Sequence, residues 1–362
     1  MTISAFDEQP VGAVGEWSVH DADAYQRFLG ASRGFWSNQL FQALQRQIEH
    51  APDSVSLRAP DAEFAAFVAQ HPTHRIFAWL ERHLQRMKYS GPFGLVESTA
   101  RDRNALLEAL AKPLPQGMLR LDPELKMPGY YNDYDIHQHP GGLGGDPLAG
   151  YIYRDAAATG VVSKPKLHER FARLATGDRH VTRVLDLGCG YGKSTWAFAA
   201  AAPCALVQGI DVSASCLEVA AHDTPVEIRS RVTFAQVDAV SSGLPAGSYD
   251  MVTSTMLLHE MPEDAIRALI TETARLVAPG GVVVHLDFLP PADRLRRFLF
   301  AGHSRRNNEP FLLDHSRIDL RDAYARAGFH QVSTIEFAEE GGALDPAMPK
   351  WRLPWTMIVA EK

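Results

Sequence analysis

Cysteine is scarce in this chain. Cys189, Cys204 and Cys216 are odd in number and lie in one short region. No disulfide framework and no zinc knuckle can be built from them. They read as small buried fillers in a reducing compartment. Long apolar runs are also missing, since none approaches the roughly 20 residues of a membrane span. The opening stretch "MTISAFDEQP" lacks the basic and apolar regions of a signal peptide. These absences predict a cytoplasmic protein with no membrane contact. Positive charge is in short supply too: the net charge is −7. Neither half has the basic excess of a nucleic-acid binder, so no nucleic-acid partner is expected. The one dense basic patch, Arg294, Arg296 and Arg297 followed by Arg305 and Arg306, reads as a solvated helix face. Internal repeats and low-complexity tracts are absent.

What is present is an ordinary globular composition, 46% apolar and 22% charged, over 362 residues. That length favours two domains over one. The first stretch, about 20 residues, reads as a loose terminus. Helical patterns follow. Trp36, Leu40, Leu44 and Ile48 recur at every fourth position, with Phe41 beside them. Ile76, Phe77, Leu80, Leu84 and Met87 form a second apolar stripe. "RDRNALLEALAK" reads as a third helix. No strand ladder is evident before residue 150. From 113 to 160, Pro, Gly, Asp and Tyr dominate and periodicity fades. This is a long irregular connection of the kind used for lids and binding loops.

After residue 165 strands and helices alternate. "RVLDLGCG", "ALVQGIDV", "VTFAQVDA", "YDMVTST" and "GVVVHLDF" read as buried strands. "KLHERFARLAT", "STWAFAAAA", "SASCLEVAA", "PEDAIRALITETARLV" and "LRDAYARAGF" read as helices. "QVSTIEF" and "WTMIVAEK" are two last strands. Such alternation predicts a parallel sheet with helices on both faces.

"VLDLGCGYGKST" admits three readings. A phosphate-binding loop needs a glycine five residues before the one preceding its lysine. Counting back from Gly192 lands on Leu187. A dinucleotide fingerprint needs a third glycine where Lys193 stands. The third reading fits: Asp186-Leu-Gly188-Cys-Gly190-Tyr-Gly192 resembles the first motif of the class I (Rossmann-like) S-adenosylmethionine-dependent methyltransferases. Residues without Cβ let the cofactor's methionine part approach the main chain, and the next helix offers free N–H groups to its carboxylate. Lys193 is then an exposed first-turn residue.

The resemblance extends through four further landmarks. It implies that Asp211, followed by Val212, receives the ribose hydroxyls, a pairing that suits a carboxylate and a vicinal diol. It implies that Asp238 and Ala239 meet the adenine, and that Ser254 and Thr255 lie beside the cofactor. "RLVAPGGVVV" matches the turn before the fifth core strand. The implied fold is an α/β, seven-stranded Rossmann-like sheet with a closing antiparallel strand. It occupies 151–362, after a mainly helical N-terminal domain (1–150) whose end forms a lid or connector. The implied cofactor is S-adenosylmethionine.

Methyl transfer from a sulfonium is an in-line displacement, and a hydroxyl acceptor also needs a base. "LLHEMPEDA" resembles the stretch that carries the general-base histidine of O-methyltransferases with a helical dimerisation domain. That match makes His259 the candidate base and Glu260 its neighbour, although Glu260 and Met261 depart from the family's pattern. A purely structural histidine at this helix start is the competing reading. Asp287, at the end of "HLDF", sits where substrates bind in such sheets. His285 would share its face. His303 and His315 fall in an irregular segment after that strand.

"YDIHQHPGG" holds Tyr134, Asp135, His137 and His139. Were it extended, Asp133, Asp135, His137 and His139 would share one face and suit a metal. Plain methyl transfer needs no redox metal, and none is expected. A lid that brings Tyr134, Asp135, His137, His139 and Tyr153 to substrate or cofactor is the preferred reading; a structural tie is the other. The whole chain therefore reads as a methyltransferase for a small molecule with an O, S or N acceptor. Its N-terminal helices would form a substrate cover, a dimer interface, or both. A transferase or cyclase that releases methylthioadenosine, and a non-catalytic S-adenosylmethionine binder, are the alternatives.

Overall fold

The computed structural model describes residues 19–51, 60–158, 166–337, 350–353 and 355–362. Among these residues eight strands form one sheet: β1 (Leu119–Arg120), β2 (Arg183–Leu187), β3 (Leu206–Asp211), β4 (Val232–Gln236), β5 (Tyr249–Thr255), β6 (Val277–Phe288), β7 (Gln331–Glu336) and β8 (Trp355–Glu361). Their order is β1-β4-β3-β2-β5-β6-β8-β7. The pairs from β1 to β6 are parallel. β8 runs antiparallel to both β6 and β7. The class and the antiparallel closing strand agree with the sequence reading. The eighth strand was not foreseen: two residues, Leu119 and Arg120, add to the edge beside Phe234 and Ala235. So short a strand leaves no alternation to read.

Fourteen α-helices lie among the described residues. Before β1 come α1 (Val19–Phe35), α2 (Phe41–Glu49), α3 (Asp61–Gln70), α4 (Pro72–Tyr89), α5 (Leu95–Arg101) and α6 (Arg103–Leu110). Then follow α7 (Gly129–Asn132), α8 (Ala149–Ala158), α9 (Lys166–Thr176), α10 (Lys193–Ala201) and α11 (Ala214–His222). The last are α12 (Glu263–Leu276), α13 (Arg294–Asn307) and α14 (Leu320–Arg326). None is long and apolar enough to cross a membrane.

Strand side chains alternate between faces, so each central strand feeds two cores. Val184, Met251, Val282, Val284, Leu286 and Met357 join one core with Phe171 and Phe198, and with Phe41, Leu44, Phe64 and Phe77 of the N-terminal helices. Leu185, Leu187, Val252, Val283 and Ile358 join the other, with Ile266 and Leu269 of α12 and Tyr324 of α14. The N-terminal helices thus pack on the face that carries α9 and α10. The stripe Trp36, Leu40, Leu44 and Ile48 is buried throughout. A single π-helical turn, Trp36–Leu40, lies between α1 and α2, and the Trp36 indole N–H donates to Phe77 O at 3.0 Å.

Several expectations need correction. Ile76 is 54% exposed, so the α4 stripe is narrower than its periodicity implies, and Cys204 is exposed. The connection over 113–160 ends in a regular helix, α8. The reading of a loose terminus falls on 1–18, outside the described residues. The segment after β6 is not irregular: it holds α13, capped by Asp293 Oδ1, which accepts from Arg296 N at 2.7 Å. The basic patch on α13 is not a solvated face. Arg294 pairs with Asp61 at 2.9 Å and lies over the Phe64 ring. Arg296 lies over Phe41, and Arg306 pairs with buried Glu81. Only Arg297 and Arg305 point outward. Guanidinium groups can cover apolar rings while holding carboxylates, so α13 docks on the N-terminal helices through its charges.

Candidate active site

β2 runs into a turn with three glycines in the left-handed region: Gly188 (φ 61°), Gly190 (φ 52°) and Gly192 (φ 88°). At Gly188 a Cβ would stand 2.7 Å from Leu257, and at Gly190 it would stand 3.3 Å from Tyr153. The backbone here is bare by necessity. Asp186, fully buried beneath the turn, accepts from Ser194 Oγ at 2.5 Å and Thr195 Oγ1 at 2.7 Å. It ties β2 to α10. Burial pushes its carboxyl up to about 7, against the pull of the two hydroxyls. Lys193 is half-buried and borders the cavity described below, not an exposed residue.

Asp211 closes β3. Its Oδ2 accepts from Gly190 N (2.8 Å) and its Oδ1 from Ser213 N (2.9 Å). Burial raises its pKa, and these N–H groups oppose the rise. Val212 is half-buried and gives its carbonyl to Gln236 Nε2. β4 stops at Gln236, so Asp238 lies two residues beyond the strand. It accepts from Val240 N at 3.0 Å, with Ala239 half-buried beside it. Ser254 turns away from this surface: its Oγ meets His285 Nδ1 at 2.6 Å, and His285 Nε2 meets Tyr324 OH at 2.5 Å. Burial lowers His285 to about 4. Thr255, the next residue, faces the other way.

That other side is a cavity of about 520 Å³. Gly188, Cys189 and Gly190 line it, together with His137, His259 and Glu260. Trp36, Tyr89, Phe288 and Trp355 supply aromatic walls, Arg33 supplies a guanidinium and Lys88 an amine. Lys88 is buried, and burial holds its pKa well below the usual amine range. Asp211 and Asp238 lie outside the lining. The connector covers their surroundings: Ser213 Oγ donates to Leu143 O at 2.9 Å, and Tyr131 and Tyr153 pack with Leu143, Ala149 and Cys216.

His259 lies in a short helical turn after β5. Its Nδ1 is 2.7 Å from Asp287 Oδ1, and its Nε2 is 3.3 Å from Glu260 Oε1. Asp287 Oδ2 also accepts from Leu258 N at 2.7 Å, which fixes the turn to β6. Glu260 Oε1 is 2.7 Å from His137 Nε2, and His137 Nδ1 is 2.9 Å from Glu309 Oε1. Beyond Glu309 stand His303 Nε2 (3.4 Å) and then Glu81, 2.5 Å from His303 Nδ1. Imidazoles and carboxylates thus alternate from Asp287 to Glu81. Burial alone would lower the histidines, but the carboxylates win. His137 is pushed up to about 10, His303 to about 9, and His259 well above its ordinary value.

"YDIHQHPGG" is not extended. His137 (φ 56°) and Gln138 (φ 58°) have left-handed backbones, each costing roughly 1–3 kcal/mol in a residue with a side chain. The four alternating residues therefore diverge. Asp135 pins its own loop, accepting from Gly141 N at 3.0 Å. Tyr134 is partly exposed and sits edge-on to Phe311. His139 stacks on Tyr89 with ring centroids 5.0 Å apart, and burial lowers it to about 4. His137 alone reaches the cavity, where Tyr153 lies against Gly190. His315 is buried on Phe288 O, away from the cavity lining. Sequence reasoning missed Glu309, Glu81, Lys88 and Arg33. No local spacing links them to the glycine motif, because helix packing alone brings them in.

Residues 184–281 match the family model described as "Methyltransferase domain". This stretch is a methyltransferase domain of the class I S-adenosylmethionine-dependent type. The 27-O-demethylrifamycin SV methyltransferase of Amycolatopsis mediterranei (strain S699) is 33% identical to this chain over 152 residues, 41% of this chain and 53% of that one. The demethylmenaquinone methyltransferase of Lactococcus lactis subsp. lactis (strain IL1403) is 28% identical over 186 residues, 46% of this chain and 71% of that one. This chain thus spans about half the length of the rifamycin relative. An O-methyltransferase family protein from Burkholderia thailandensis, of solved structure, covers 96% of this chain and 98% of its own at 17% identity, with a TM-score of 0.48.

The family's cofactor is S-adenosylmethionine. The residues of this domain fit its parts. The turn at Gly188 and Gly190 is a cradle that a Cβ would fill. Asp211 accepts from the N–H groups of Gly190, Ser213 and Val212, and its carboxylate keeps acceptor capacity for a ribose hydroxyl.

Proposed function

We propose that this protein transfers a methyl group from S-adenosylmethionine to an oxygen of a small, ring-bearing acceptor held in the 520 Å³ cavity. The observation that carries the reading is that one cavity is lined both by the bare glycine turn and by the His259–Glu260–His137 cluster. Its volume is within the usual range for small-molecule sites. The aromatic walls favour a planar acceptor, and Arg33 favours one with negative charge. The rifamycin relative, named for a substrate that lacks an O-methyl group, agrees with an oxygen acceptor.

The cofactor supplies an electrophilic methyl on a sulfonium. The chain's residues do the rest. Gly188 and Gly190 admit the cofactor to the main chain, and Asp211 holds its ribose. Asp238 and Ala239 border the adenine, and Thr255 flanks the transfer path. Tyr153 and the connector close over the turn and exclude water. The acceptor hydroxyl is seated against His259 and Glu260, and its proton passes to Nε2 of the neutral His259 ring as the methyl arrives. Asp287 sets the ring of His259 and keeps its Nδ1 protonated.

Mass spectrometry tests this reading. The protein is mixed with methyl-labelled S-adenosylmethionine and a small-metabolite extract. A labelled oxygen product with S-adenosylhomocysteine is expected. Methylthioadenosine with an unlabelled acceptor would replace methyl transfer by transfer of another group from the same cofactor.

A further inference from the structure

Three ligating atoms meet at one point of the cavity wall. His137 Nε2 and His259 Nε2 both approach Glu260 Oε1, at 2.7 and 3.3 Å. The three residues offer ligand atoms within 4.8 Å of one another. Each imidazole is oriented from behind by a buried carboxylate: Asp287 on Nδ1 of His259 at 2.7 Å, and Glu309 on Nδ1 of His137 at 2.9 Å. An ionised carboxylate only accepts, so both Nδ1 atoms carry hydrogen and both Nε2 atoms of the neutral rings present lone pairs. Glu260 Oε1 presents lone pairs as well. Such atoms converge only around positive charge, which is either two shared protons or one doubly charged ion. Exchanging two protons for one dication leaves the net charge of the buried cluster unchanged.

Three further observations point to the ion. Glu260 Oε2 is buried without a hydrogen-bond partner among the described residues, which leaves a second carboxylate oxygen free. Both histidines have a carboxylate behind them, the outer support that metal-bound imidazoles have. The third is backbone strain. The left-handed conformations of His137 and Gln138 aim one imidazole across the cavity from the connector. They are held there by Gln85 Nε2 donating to His137 O (2.8 Å) and Gln138 Nε2 donating to Arg306 O (2.5 Å). Strain of this kind persists where the surroundings enforce it, and it gathers at functional sites.

We infer that His137, His259 and Glu260 hold a divalent first-row transition-metal ion, of the zinc, iron(II) or cobalt(II) class. Two imidazoles and one carboxylate favour these over magnesium or calcium, which take oxygen shells. Three protein ligands leave positions open. They open on the cavity that all three residues line, where an acceptor oxygen can bind. This centre is not the Asp133–Asp135–His137–His139 set, whose side chains diverge. It also replaces the expectation of no metal. With the ion in place, His259 would serve as a ligand, the ion would make an acceptor hydroxyl bound at an open position more acidic, and the proton would pass to Glu260 Oε2.

The test is a titration of the purified full chain, stripped with chelator, with cobalt(II), followed by visible absorption. It contains neither cofactor nor acceptor, so metal binding and methyl transfer can fail separately. One saturating equivalent with ligand-field bands is expected, together with a rise in melting temperature. Glu260→Gln and His137→Ala should abolish saturable binding at micromolar ion. Glu309→Gln, acting only through His137, should weaken it by about 10- to 100-fold. Glu260→Gln keeps the shape of the site, so it decides the matter if His137→Ala fails to fold. No saturable binding by the unaltered chain, or equal binding by Glu260→Gln, would overturn the inference and leave a cluster held by protons alone.

Discussion

His259 Nδ1 lies 2.7 Å from Asp287 Oδ1, and both residues are buried. The pair spans two neighbouring strands: His259 follows β5 and Asp287 nearly ends β6. The parallel pairing of Thr255 with Leu286 brings them side by side. His259→Ala should therefore leave the glycine turn intact and strike the chemistry. Turnover should fall by about 10²- to 10⁴-fold, the range for a group that handles a proton in the transition state. Calorimetry should show unchanged S-adenosylmethionine affinity. Full activity in the variant would make His259 structural.

Asp211→Ala acts on the cofactor instead. It leaves Gly190 N and Ser213 N without their acceptor and removes the ribose carboxylate. Cofactor binding should weaken by about 1–3 kcal/mol, the cost of unpaired buried polar groups. Calorimetric affinity equal to that of the unaltered chain would show that the cofactor lies elsewhere.

Asp186 gives the fold a pH dependence of its own. Its carboxyl titrates near 7 in the folded chain, raised by burial from an ordinary 3.8. Below the ordinary value both folded and unfolded chains hold the proton, and this group's stabilising contribution is complete. Between the two values only the folded chain holds it, so stability falls as pH rises, by at most about 1.4 kcal/mol per pH unit. Asp186→Asn keeps an acceptor for Ser194 and Thr195 but cannot titrate. Urea midpoints across this window should fall with pH more steeply in the unaltered chain than in the variant. Parallel curves for the two proteins would contradict the assignment.

Glu81 couples α4 to α13. It is buried and takes His303, Arg306 and, at 3.5 Å, Asn307. Glu81→Ala would leave two buried cationic groups without their partner, at a cost of about 3–5 kcal/mol. The denaturation midpoint should drop sharply, while the conservative Glu81→Gln should lose less. A loss below 1 kcal/mol would mean that the helices are held by apolar contacts alone.

Much of this was legible in the chain itself. The alternating pattern after residue 165 predicts the strands because the central sheet is buried on both faces. Runs such as "VLDL" and "VVVHLDF" have few other uses. Gly188, Gly190 and Gly192 announce the turn because only glycine tolerates those backbone angles beside Leu257 and Tyr153. α13 was hidden for the opposite reason. Its core-facing surface includes Arg294, Arg296 and Arg306, so its charges resemble a solvent face until the aromatic rings and carboxylates they cover are in place.

The sequence by itself determined the sheet, the glycine turn and the acidic strand ends, because each depends on local spacing and backbone sterics. It also singled out His137, His259, Glu260 and Asp287. Only the tertiary structure decided how they meet. His137 lies more than a hundred residues from Glu260 and Glu309, and a left-handed turn with no sequence signature directs it inward. Contacts made by folding α4, α13 and the connector around one cavity are long-range, and no periodicity within a segment encodes them.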